Sequence, residues 1–173
     1  MQIDNLEIRQ AVWRDLPEIL NIYEIARCFM AANGNAGQWG TEHPKEEILR
    51  EDMAQGRLYA VTKHEKICGV FALISGADPT YTRIDGGNWH KEEPYLTIHR
   101  IAGNGTARGI FAACLEFAKQ GSSYLRIDTH EKNRVLRHLL EKNGFRYCGI
   151  IYVRDGSPRM AYDYSVESTD LSG

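Results

Sequence analysis

YLTIHRIA (residues 95–102), GNGTARG (103–109), IFAACLEFAKQ (110–120), SYLRIDTH (123–130) and NRVLRHLLEKNGFRYCGIIYV (133–153) follow one another in the second half of the chain, and their reading decides the fold. YLTIHRIA and SYLRIDTH are short runs rich in β-branched and aromatic residues, which predicts strands. Between them a Gly-bearing loop opens into an apolar run at helical period. A second helix is predicted from about Asn133 to Lys142, stopped by Asn143-Gly144, with FRYCGIIYV (145–153) and MAYDYSV (160–166) as closing strands.

Upstream, LEIRQAV (6–12) alternates at a period of two. Asp15 with Glu18 then gives a capping-box pattern before the helical LPEILNIYEIARCF (16–29). AANGNAGQWGTEHP (31–44) has no period and reads as a loop, followed by a helix from about Pro44 to Gln55 that Gly56 ends. RLYAVTK (57–63) and ICGVFALIS (67–75), joined by His64, Glu65 and Lys66, predict an antiparallel hairpin. Residues 76–94 are polar and rich in Gly and Pro, a surface insertion. Strands mixed with two late crossover helices give an α/β layer with helices on its faces.

With 173 residues, 43% of them hydrophobic, the chain has apolar material for one core, and we read residues 1–173 as a single domain. Its parts are an N-terminal portion (1–75), the insertion (76–94), a second half (95–165) and a frayed tail (166–173). The 21 Lys and Arg nearly cancel the 23 Asp and Glu, so no chain-wide field gathers a nucleic acid or an anionic membrane. MQIDNLEIRQ lacks a leader pattern and no run of 18 apolar residues occurs, so the expected address is cytoplasmic. Cys28, Cys68, Cys114 and Cys148 are widely spaced without a CxxC pair, which speaks against a zinc site and points to reduced, mostly buried thiols. No metal is expected.

From about Tyr95 to Tyr152, the order strand, Gly loop, helix, strand, Asn, helix, Gly-Phe, strand resembles the cofactor-binding half of the GNAT superfamily of N-acetyltransferases. The resemblance implies an α/β fold of the α+β kind, with a mostly antiparallel central sheet splayed between strands 4 and 5 and flanked by helices. It also implies an enzyme that moves an acetyl group from acetyl-CoA directly to an amine, here of a small acceptor. The family's pyrophosphate loop matches Thr106-Ala107-Arg108-Gly109-Ile110-Phe111, which leads into the helix. An earlier match, Arg100 to Gly105, lies too far from it. Thr106 and Phe111 depart from the family pattern. Unpaired amides and the positive end of a helix dipole favour an anion there, although a Gly loop before a helix is also an ordinary turn.

By the same resemblance, Asn133 bonds the pantetheine or diphosphate arm; read on its own, it is a helix cap. The family's thiolate-protonating Tyr corresponds to Leu140, so that acid is missing. His99, His130 and Glu131 are the candidate general bases, each with a bland alternative as a sheet histidine or a solvated residue. The Ile101 amide is a candidate oxyanion donor. Asn35, Gln38, Trp39, Trp89 and His90 are candidate acceptor-pocket residues, against the reading that each Trp pins its loop to the core. The competing function is an acyl-CoA-binding sensor that catalyses little, which Leu140 and Phe111 motivate; a purely architectural likeness is the third reading. The closing strands would allow a homodimer through a shared edge.

Overall fold

The computed structural model describes residues 4–166; the tail ESTDLSG (167–173) lies outside them. The elements are β1 (Glu7–Gln10), α1 (Leu16–Ala32), α2 (Ala36–Trp39), α3 (Glu46–Ala54), β2 (Leu58–Lys63), β3 (Lys66–Ser75), β4 (Leu96–Gly103), α4 (Ile110–Lys119), β5 (Tyr124–Thr129), α5 (Arg134–Lys142), β6 (Arg146–Tyr152) and β7 (Pro158–Ser165). The strands pair in the order β1-β2-β3-β4-β5-β7-β6, and the β4–β5 pair is parallel in a mostly antiparallel sheet. That parallel pairing is registered at Leu96 with Leu125 and Thr97 with Arg126. These registered pairs lie near the start of both strands.

The chain divides into two compact units, residues 4–74 with 98–117, and residues 75–97 with 118–166. In the first, Leu58, Val70 and Ala72 of the hairpin meet Leu16, Ile19, Ile22 and Tyr23 of α1 and Leu49 of α3. Tyr59 and Phe71 stack at 5.5 Å, and both meet Phe117 of α4. Alternation along the strands thus feeds two buried layers, one for α1 and α3 and one for α4.

The capping box expected of Asp15 and Glu18 does not form. Asp15 makes no side-chain cap bond to α1. Its carboxylate accepts instead from both Arg9 Nη atoms, at 2.7 and 3.0 Å, and from Val12 N–H at 2.8 Å. A bidentate charged partner outcompetes a neutral amide.

In the second unit, β7 lies between β5 and β6, so of the two closing strands β6 alone is an edge. The insertion covers part of that edge: Asp85 and Ile150 exchange backbone hydrogen bonds of 2.9 and 2.8 Å. It also contributes buried side chains, Tyr81 and Trp89, which cluster with Cys148, Ile151 and Ala161. Trp89 Nε1–H donates to the Tyr81 carbonyl at 2.9 Å, so this Trp does pin its loop to the core.

Candidate acyl-transfer site

On β4, Arg100 adopts φ of 52°. A left-handed non-glycine inside a strand breaks the pleat's alternation and reorients the next amide, that of Ile101. The kink is held from both sides. The Arg100 guanidinium donates to Asp52 through Nε and Nη2, both at 2.8 Å, and Tyr23 Oη–H donates to the Arg100 carbonyl at 2.6 Å. Asp52 is fully buried and also accepts from Arg57 Nε at 2.8 Å. Burial pushes the Tyr23 phenol far above its usual range, so it stays a donor. His99, half-buried, precedes the kink on the same strand.

Residues 104–109 form the turn from β4 into α4. Asn104 Oδ1 accepts from Thr106 N–H at 3.0 Å and from its hydroxyl at 2.6 Å, while Gly105 and Gly109 take φ of 81° and 84°. Thr106, Ala107, Arg108 and Gly109 therefore lie in one turn, and Ile110 opens the ten-residue helix that follows. The Arg108 N–H donates to the Asp4 carboxylate at 2.8 Å, and Lys63 Nζ stands 3.0 Å from the same carboxylate. These two contacts, the amide first, hold the Asp4 carboxyl below its usual range. Here the loop carries an oxyanion. Phe111, a departure from the family pattern, is buried, so its ring packs inward instead of closing the turn.

His130, Glu131 and Asn133 come together in the turn between β5 and α5. Asn133 Oδ1 accepts from Leu136 N–H at 3.2 Å, the bond of a helix cap. His130 Nδ1 accepts from Lys132 N–H at 3.1 Å. Burial, and after it Arg159, lower the His130 pKa from its ordinary 6.5, so the ring is neutral at pH 7. Leu140 is fully buried hydrocarbon.

Other candidates divide between support and site. Asn35 Nδ2 donates to Gln38 Oε1 at 3.0 Å, and Trp39 meets Tyr23 edge-on at 5.7 Å, which fastens the α2 loop to α1. His90 bonds Asp163. Two features give no sequence signal. Thr97 Oγ1, at the last registered β4–β5 pair, is buried without a hydrogen-bond partner. Arg126, 5% exposed, places its guanidinium 4.2 Å from the Trp89 ring and 4.3 Å from Tyr95, and helps line a cavity of about 860 Å³ with Tyr81, Glu92 and Ser122.

A GNAT-family acetyltransferase from Streptococcus agalactiae 2603 superposes with a TM-score of 0.86 at 30% identity, over 96% of this chain and 99% of that one. The chain belongs to the GNAT acetyltransferase family. A GNAT-family acetyltransferase from Listeria monocytogenes 4b F2365 shares the GNAT fold at 16% identity and a TM-score of 0.68, over 92% of this chain and 94% of that one. The ribosomal-protein-S18-alanine N-acetyltransferase of Escherichia coli does so at 16% identity and 0.60, over 94% and 95%. Neither a family model nor a curated protein matches the chain. Among the described residues, no helix of this GNAT protein is long and apolar enough to cross a membrane.

Proposed function

We propose that this protein transfers the acetyl group of acetyl-CoA directly to an amine of a small acceptor, in the cytoplasm. The observation that carries this reading is the Arg108 amide, which already binds a carboxylate at 2.8 Å in the turn before α4. An amide that holds one oxyanion at a helix N-terminus suits another, and residues 106–110 would hold the CoA diphosphate. Asn133 contributes through the turn that it caps.

Acetyl-CoA supplies a thioester carbonyl, and the acceptor's C–N bond forms as the C–S bond breaks. The Ile101 N–H, turned by the Arg100 kink, is the oxyanion donor. His99 and Glu131 are the groups we assign to taking the ammonium proton. His130 serves differently: with Nδ1 accepting from Lys132, its neutral ring carries the proton on Nε2 and donates. No side-chain acid stands at Leu140, so CoA leaves as a thiolate, which a thiol pKa of about 8.5 permits.

Calorimetric titration with acetyl-CoA, followed by thiol release on adding amines, tests the reading. Binding is expected for the intact protein, lost in Gly109→Asp, and tightened in Asp4→Ala, which removes the competing carboxylate. Binding without thiol release from any amine would instead identify a sensor; no binding would leave only the fold.

A further inference from the structure

His90 in the insertion, Cys148 on β6 and Asp163 on β7 turn their donor atoms toward one point. His90 Nδ1 lies 2.7 Å from Asp163 Oδ1 and 3.3 Å from Cys148 Sγ, and the three donor atoms all fall within 4.8 Å of one another. We propose that His90, Cys148 and Asp163 bind a soft divalent cation of the zinc class and so fasten the insertion to β6 and β7.

Three points separate this from an incidental hydrogen-bonded cluster. First, both the sulfur and the carboxylate address the same imidazole nitrogen, which has one lone pair or one proton for them. A relay of the thiol–imidazole–carboxylate kind would place them on opposite ring nitrogens, whereas metal ligands converge. Second, the other oxygen of Asp163 is already held, by Tyr124 Oη–H at 2.7 Å and His90 N–H at 2.8 Å. That is the outer support which orients a ligating carboxylate and leaves Oδ1 for the ion. Third, the scale fits: bonds of about 2.0–2.3 Å at tetrahedral angles separate donor atoms by roughly 3.3–3.7 Å. The 3.3 Å separation of Cys148 Sγ from His90 Nδ1 already falls in that range, and seating an ion lengthens the 2.7 Å separation of Nδ1 from Asp163 Oδ1 by roughly 0.6 Å.

Cys148 and Asp163 are buried, while the His90 side chain is 33% exposed and provides the way in, with a fourth position left for water. Without metal, the Cys148 thiol donates to the Arg146 carbonyl at 3.4 Å. On binding, that thiol releases its proton to solvent and the imidazole proton moves to Nε2. Thiolate and carboxylate then neutralise the ion's two charges, and nothing is oxidised. A sulfur, nitrogen and oxygen set selects zinc over magnesium or calcium.

Chelator-stripped full-length protein titrated with Co2+ tests this without reference to acyl transfer. A thiolate-to-cobalt charge-transfer band saturating at one equivalent is expected, displaced by Zn2+, absent in Cys148→Ser and His90→Ala, and unchanged in Cys28→Ser. Zinc should raise the Tm of the intact protein and leave that of Cys148→Ser, a nearly isosteric change, where it was. Tyr124→Phe should keep the band and weaken zinc binding about 10–100-fold. A protein that shows no band at one equivalent, a band that survives Cys148→Ser, or a Tm unmoved by zinc would overturn the proposal.

Discussion

Arg100 holds a backbone conformation that bulky side chains seldom adopt, and Asp52 and Tyr23 keep it there. Asp52 is fully buried and Arg100 is 15% exposed, so removing the guanidinium strips a buried carboxylate of one of its two cations. Breaking such a pair costs roughly 3–5 kcal/mol, and Arg57 should keep Arg100→Ala near the lower end. Urea denaturation is expected to show that loss. Thiol release should fall as well, and Arg100→Lys should not restore it, because a point charge lacks the two-pronged grip. His130 carries a second expectation. Its pKa lies below 6.5 in the fold, so its protonation state is constant from neutral pH upward. In His130→Gln, kcat should drop while the acid limb of the kcat/KM profile stays in place; disappearance of that limb would make His130 the base after all.

Among the elements, the insertion changes most between sequence and structure. Composition marked residues 76–94 as a surface excursion, and most of them are exposed. Yet the backbone of Asp85 lies along β6, and Tyr81 and Trp89 are core. A period-based reading misses this, because one bridge and two isolated aromatics generate no period. Gly87 reports on the fit. A Cβ there would stand 2.1 Å from the Cys148 carbonyl oxygen, whereas at Gly86 nothing lies within 4 Å and the cost is only that of φ at +70°. Gly87→Ala should lose about 1–3 kcal/mol and shift Trp89 emission to the red, against about 1 kcal/mol and no shift for Gly86→Ala. The helices were more legible. Apolar periodicity placed α1 and α4, and Asn143-Gly144 placed the end of α5, because those signals are local in the chain.

For the molecule as a whole, the family was legible in the run from Tyr95 to Tyr152, and the superposition bears that out. The geometry of the candidate site was legible in part. The turn of residues 106–110 could be read because Gly and a helix start are adjacent in sequence. Asp52 under Arg100, Asp4 on Arg108 and Asp163 under His90 could not, since each partner is 48 or more residues away with nothing to couple them along the chain. The same separation bears on synthesis. The first compact unit includes residues 98–117 as well as the N-terminal 74, so its hairpin and α1 leave the ribosome well before β4 and α4 exist to cover them. During that interval Tyr59 and Phe71, which the finished protein packs against Phe117, have no partner on that face. The nascent chain therefore exposes a sticky strand pair through the translation of the whole insertion, a window in which a holdase chaperone or slow, post-translational closure would govern the yield of folded protein.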